Sequence, residues 1–420
     1  MRSLVIGYRV AVGMLIALGS AAGAARRGRP EAKRELARQV TQLLIRLGPT
    51  FVKAGQILGA RRDIVPPVLC DELSVLRDEV PGLSPEQSRA ALVGVYGADL
   101  DRTFDAIDYV AVAAASVACV YRASLLDGTE VALKLQRPGI SRLMAADLAL
   151  VRRGAAMVAR LPAFRGVPVR ELMDNLCDAV LGQLDFDREA DSLRRMRTEL
   201  SALPRVLVPR VHVELSRPTC IVMDYLPGLD VGTGARCSLV ARREFAASTL
   251  NVMYQMLFID GFVHCDLHPG NLYFLPTGQV VVLDAGFSVQ LSDTMRRLFA
   301  EFFLNMSIGR GRRCARIVIE SSLGLRPGAD VEWFSTELAA LVDRNFGLSA
   351  KEFSLIGFAT EMFDIQRRHG IVATPELVFP LLSLLVIEPT VRELDPDIDF
   401  QVIARPVLNR ALFAAVASIT

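Results

Sequence analysis

His264-Cys265-Asp266-Leu267-His268-Pro269-Gly270-Asn271 is followed, after a short apolar run, by Leu283-Asp284-Ala285-Gly286. Asp266 and Asn271 are five positions apart, and Asp284 lies thirteen beyond Asn271. An acid that orients or deprotonates an attacking hydroxyl needs a loop position beside the group being transferred, and Asp266 is a candidate. Magnesium takes hard oxygen ligands and few of them from protein, and the pair Asn271 and Asp284 supplies that. Val280-Val281-Val282-Leu283 reads as a short strand, which puts Asp284 at a strand end. His264 reads as a brace for the loop. A zinc pair of His264 and His268 is the alternative, but no further His or Cys stands at ligand spacing.

Two upstream pieces extend the pattern. Val117 to Ser124, the turn Asp127-Gly128 and Glu130 to Gln136 read as a β-hairpin, with Lys134 on the face opposite Val131, Leu133 and Leu135. Before it, Ala113-Ala114-Ala115-Ser116 is a run small enough for backbone N–H groups to approach phosphates, although such a run is also an ordinary turn. Val131-Ala132-Leu133-Lys134 matches the lysine strand of protein kinases, and the spacing from Asp266 to Asn271 to Asp284 matches their catalytic and metal-binding pieces. All four in this order point to a nucleotide-binding, kinase-like site.

Around these pieces, residues 31–93 read as helices, broken at Gly48-Pro49 and Pro66-Pro67. Ser84-Pro85-Glu86-Gln87 is a capping box. A helical stretch runs from Pro138 to about Leu200 with breaks near Pro162 and Pro168. Thr219 to Tyr225 is a further strand, and a hinge follows near residues 226–232. The rest reads as helical apart from residues 280–283. The expected fold is α+β: residues 1–30 apolar and basic, 31–105 a helical extension, 106–228 a small β-containing lobe, and 229–420 a helical lobe.

At 420 residues the chain exceeds the roughly 250–300 that one core serves, so more than one lobe is expected. Its 48 basic and 46 acidic residues are too balanced for a nucleic-acid footprint. Seven scattered cysteines (70, 119, 177, 220, 237, 265, 314), without a CxxC pair, fit a reducing compartment. Mean hydropathy is high, +0.33. The apolar stretch Val10 to Ala25, flanked by Arg9 and Arg26-Arg27, would reach about 24 Å as a helix, short of the roughly 30 Å hydrocarbon layer. It reads as a membrane-dipping helix, as a helix packed on protein, or as a signal segment. The basic residues Arg26, Arg27, Arg29, Lys33 and Arg34 suit either a solvated face or anionic lipid headgroups.

With these residues in hand, the chain resembles the UbiB/AarF family of atypical, ADCK-type protein-kinase-like proteins, from about Leu47 to about Leu291. The most specific mark is Lys53-Ala54-Gly55-Gln56, the family's K-x-G-Q signature, within Leu47 to Gln56. The alanine-rich turn and the His-x-Asp-x-His-Pro-Gly-Asn loop are further marks. The resemblance implies a K-x-G-Q helix lying over the active site and obstructing peptide substrates, with Lys53, Gln56 and His268 near the nucleotide. In Gln183-Leu184-Asp185-Phe186-Asp187-Arg188-Glu189 it assigns Glu189 as the ion-pair partner of Lys134, and turns Asp185 toward Lys53. This sequence departs at Gln183, where the family has Glu, at Cys119 and Tyr121, which replace Gln and His, and at Ala285, which replaces Phe.

The expected chemistry is ATP and Mg²⁺ bound by Lys134, Asn271 and Asp284, with Asp266 as the catalytic acid–base group. About five residues separate Gly286 from a helix starting near Ser292, leaving no room for an activation segment. Efficient phosphorylation of proteins in trans is therefore not expected. The resemblance implies an ATPase or small-molecule/lipid kinase serving isoprenoid quinones at the cytoplasmic face of a membrane, with quinone-biosynthesis enzymes as partners. A nucleotide-gated membrane scaffold and a small-molecule phosphotransferase are the competing readings.

Overall fold

Ser84 starts its helix as the capping box predicts. In the computed structural model its hydroxyl accepts from the Gln87 N–H while the Gln87 side chain accepts from the Ser84 N–H. The structure describes residues 2–25, 28–60, 65–74, 76, 80–160 and 169–413, so the Arg26-Arg27 pair, Pro162 and Pro168 lie outside it. The chain forms two units, Met1–Ala190 with Val211–Tyr225, and Asp191–Arg210 with Leu226–Thr420.

The first unit opens with helices α1 (Arg2–Ala25), α2 (Arg29–Leu47), α3 (Pro49–Ala60), α4 (Pro67–Leu73), α5 (Pro85–Tyr96) and α6 (Leu100–Thr103). Helix α1 packs on α2. Gly13 lies so close to α2 that a Cβ there would come within 2.6 Å of Leu43 Cδ1. Among the described residues no helix is long and apolar enough to cross a membrane.

Strands β1 (Phe104–Ile107), β2 (Ala113–Ala114), β3 (Ala118–Leu125) and β4 (Glu130–Gln136) follow, then α7 (Ile140–Val158), α8 (Val169–Gly182) and α9 (Phe186–Glu199), whose residues from Asp191 on belong to the second unit. β5 (Val206–Leu207) also belongs there, and β6 (Cys220–Asp224) completes the first unit's antiparallel sheet, ordered β1-β3-β4-β6 with β2 on β3. Gly128 takes the left-handed backbone (φ 83°) that its tight turn between β3 and β4 requires. Cys119, Tyr121, Val131, Leu133 and Leu135 share one sheet face and form a core with Leu92 and Tyr96 of α5.

The second unit contains α10 (Thr233–Arg236), α11 (Leu239–Tyr254), β7 (Phe262–His264), β8 (Leu272–Phe274), β9 (Val280–Val282), β10 (Ser288–Gln290), α12 (Asp293–Ser307), α13 (Gly311–Glu320), β11 (Gly324–Leu325), α14 (Val331–Asn345), α15 (Leu355–Arg368), β12 (Ile371–Val372), α16 (Pro375–Leu394) and α17 (Phe400–Phe413). Phe258, Phe299, Phe302, Phe303 and Phe358 form a chain of ring contacts at its centre. Sequence reading expects one strand here, at 280–283, and the structure corrects this. β8 pairs with β9, β10 with β7, and β12 with β11. Strands of two or three residues are too short to show a period of two.

Candidate active site

Lys134 occupies the middle of the sheet, its backbone opposite Val120 on β3 and Ile221 on β6. Its Nζ lies 2.5 Å from Glu189 Oε1, with the lysine side chain 11% and the glutamate 2% exposed. The ammonium also stands 5.5 Å from the centroid of the Phe186 ring. Phe186 and Glu189 are both in the first turn of α9, which Asp185 starts by accepting the Arg188 N–H at Oδ1. A charge this buried needs a partner in place, and Glu189 is that partner.

The alanine turn is tied down from several sides. Ala113 and Ala114 pair with Val120 and Cys119, and the Ala115 N–H donates to Ala118 O. Arg137 donates from Nε to Ala115 O at 2.7 Å and from a second nitrogen to Pro81 O at 2.7 Å. Ala113 is exposed, whereas Ser116 is buried. On α3, Gly55 is a packing residue, since a Cβ there would lie 2.5 Å from Leu76 Cδ1 and 2.9 Å from Leu44 Cδ1. Gln56 donates its amide to Leu76 O at 3.3 Å, and Lys53 is half-buried one turn earlier. The glycine of K-x-G-Q therefore lets the helix pack closely, and its glutamine holds the neighbouring segment.

In the second unit the loop from His264 to Asn271 is built on hydrogen bonds to its own backbone. His264 is fully buried; its Nδ1 accepts the Asp266 N–H at 3.1 Å and its Nε2 stands 3.0 Å from Leu283 O. With Nδ1 accepting, Nε2 carries the proton. Burial lowers the pKa of His264, so the ring is held neutral. Both nitrogens are engaged, which removes it as a zinc ligand. Ser383 of α16 backs the loop by donating to His264 O at 2.6 Å.

His268 Nδ1 accepts the Gly270 N–H at 2.9 Å, and a Cβ on Gly270 would lie 2.7 Å from the His268 ring, so a larger residue there would displace the ring. Asn271 donates its side-chain amide to Asp266 O at 2.8 Å, which turns Oδ1 the other way. The Leu283 N–H donates to Asn271 O at 2.9 Å, and Leu272 pairs with Val282, so Asn271 and Asp284 meet at one end of the β8–β9 pair. Asp284 has φ 52°, the only positive φ outside glycine among the described residues. Strain of this kind persists where surrounding structure enforces it, as at functional sites. An amide oxygen and a carboxylate form the hard donor set that Mg²⁺ takes. Asp266 is about one-third exposed, with Oδ2 3.9 Å from His268 Nε2.

Lys134 and Glu189 are thus joined within the first unit, and Asp266, His268, Asn271 and Asp284 within the second. Cys119 and Tyr121 are core residues with no exposed surface, and Tyr121 accepts a hydrogen bond from Ser88. These two departures from the family pattern are therefore packing changes. Ala285 is buried, and its carbonyl accepts from Ser288 Oγ. Ser292 caps α12, so no long segment separates Gly286 from that helix.

Sequence reasoning passed over one pair, Thr50 and Asp147. Both are fully buried, and Thr50 donates to Asp147 Oδ2 at 2.7 Å, linking α3 to α7. The signal was available, because Asp147 falls at helical spacing among Ile140, Met144 and Leu148 on the buried face of α7.

Comparison with known proteins identifies the family and the fold. Residues 75–318 match the ABC1 atypical kinase-like domain, more than half of the chain, and residues 338–399 match the UbiB helical domain. Among solved structures, the Rv3197–erythromycin complex from Mycobacterium tuberculosis superposes with a TM-score of 0.61 at 21% identity, covering 79% of this chain and 83% of the other, and shares the fold. A lysine–glutamate pair on a five-stranded sheet, an Asp–Asn loop closed by a strained aspartate, and two adjoining family domains lead to one assignment: the chain belongs to the UbiB-type family of ABC1 atypical kinase-like proteins.

Proposed function

We propose that this protein binds ATP and Mg²⁺ and works as an ATPase or a kinase of small-molecule or lipid substrates, supporting isoprenoid quinone biosynthesis or homeostasis at the cytoplasmic face of a membrane. The observation that carries this reading is the buried Lys134–Glu189 ion pair. It is the pairing that phosphoryl-transfer enzymes of kinase type require, and it is costly to maintain without a use.

In this reading Lys134 holds the nucleotide phosphates with its position set by Glu189, and the Ala113–Ser116 turn receives them along its backbone. Lys53, Gln56 and His268 border the nucleotide. Asn271 and Asp284 would hold the Mg²⁺, which neutralises phosphate charge when bound. Asp266 orients and deprotonates the attacking water or hydroxyl. The short link from Gly286 to α12 and the packed K-x-G-Q helix favour a small acceptor over a protein. The erythromycin complex of the fold relative is in keeping with a small-molecule ligand.

Turnover of ATP by wild type and Asp284→Asn, with and without lipid vesicles, tests the assignment. Wild-type turnover that the substitution abolishes is expected. Equal rates would remove the metal role of Asp284 and the reading with it. Quinone profiles of a strain lacking the protein test the biosynthetic part separately.

A further inference from the structure

A cavity of about 1270 Å³ opens within the first unit, and neither Lys134 nor Glu189 lines it. Its walls include Ile45, Val52, Val95, Leu135 and Leu143. Leu135 and Lys134 leave opposite faces of β4, while Gln136, on the face of Lys134, and Ser116 of the alanine turn also border the cavity, so it adjoins that turn without being lined by either member of the ion pair. Its volume exceeds the roughly 300–1,000 Å³ typical of ligand sites, room enough for a long flexible chain.

We propose that this cavity is a binding site for an amphiphile with an aliphatic chain and an anionic head group. Three features of the lining select that class. No aromatic ring is present among the described lining residues, so a flat ligand would find no stacking partner, whereas a flexible chain meets aliphatic walls. Arg137 is the sole charged side chain among them and no carboxylate is present; although two of its nitrogens donate to the Ala115, Val80 and Pro81 carbonyls, its uncompensated positive charge favours an anion over a cation. The polar side chains are few, Gln87, Ser116, Gln136, Arg137 and Thr219, and the rest of the lining is mostly apolar. The site holds whether or not the proposed nucleotide chemistry is right.

Gly94 supplies a clean perturbation. It lies in α5, lines the cavity, is exposed, and a Cβ built there meets no atom within 4 Å. Replacing a helical glycine also favours the helix. Gly94→Phe places a ring in the mouth, and Gly94→Ala is the control; Ala90→Phe, one turn away on the same lining, is a second blocking variant.

Titration of the full chain with decanoate, tetradecanoate, tetradecyl phosphate and tetradecanol, below their micellar concentrations, is the test. Both anionic tetradecyl probes are expected to bind, tetradecanoate more tightly than decanoate by up to about fourfold per added methylene. Tetradecanol is expected to bind at least tenfold more weakly than tetradecanoate. Tighter binding of the phosphate than of the carboxylate would mark a phospholipid-type head, and the reverse a fatty acid. Gly94→Phe and Ala90→Phe should lose binding at an unchanged unfolding midpoint, while Gly94→Ala keeps it. Absence of binding by wild type, equal binding by folded Phe variants, or equal affinity for acid and alcohol would each overturn the proposal.

Discussion

Exchanging both members of the Lys134–Glu189 pair for methionine separates what the pair does for folding from what it does for function. The two side chains are 11% and 2% exposed and 2.5 Å apart, so each single replacement takes from the other buried charge its ion-pair counterpart. Breaking a buried pair in this way costs about 3–5 kcal/mol. For a unit of this size that corresponds to a drop in unfolding midpoint of roughly 6–20 °C. Replacing both charges by apolar groups of similar volume is close to neutral. The double variant Lys134→Met/Glu189→Met should therefore recover most of the stability, giving an interaction energy above about 2 kcal/mol in a double-mutant cycle. Nucleotide binding, measured by titration of the same four proteins, should be lost in both singles and stay lost in the double. Additive stability losses would refute the account of the pair as a mutually dependent buried unit. Restored stability together with restored ATP binding would refute its role at the nucleotide.

Gly55→Ala should destabilise the first unit by about 1–3 kcal/mol, because its Cβ would press on Leu76 and Leu44; thermal unfolding checks this. Thr50→Val leaves Asp147 without one of its donors in a dry site and should cost about 1–3 kcal/mol in chemical denaturation. At position 284, where φ is 52°, Gly should give a protein about 1 kcal/mol more stable than Ala does, with both inactive in ATP turnover. Asp260, half-buried beside Glu199, has its pKa raised by burial from 3.8 to about 6. Its proton is held more tightly in the folded state, so its contribution is complete below pH ~4 and is lost as pH rises through about 6. The midpoint of wild type relative to Asp260→Asn should fall over that window, and a flat difference would contradict it.

Sequence alone determined the parts of this protein that depend on local chemistry. The hairpin with Lys134, the capping box at Ser84, the loop from His264 to Asn271 and the aspartate after a short strand are each specified by neighbours within a few positions. Turn geometry, capping and backbone hydrogen bonding act at that range. The α+β class and the family followed from the order of these pieces and from Lys53-Ala54-Gly55-Gln56. Tertiary structure decided what depends on distant residues. Strands β7 and β10 are short and pair with each other across the loop that carries Asp266, Asn271 and Asp284, too far for a local pattern; β8 pairs with nearby β9 but is too short to show a period of two. That Gln56 donates to Leu76 O and that Tyr121 is packed in the core could not be read from spacing, since helical or strand periodicity sets which face a residue occupies but not what covers that face. Gly55 is the sharpest case: the motif marks it, but only the structure shows that a Cβ there would meet the side chains of Leu76 and Leu44.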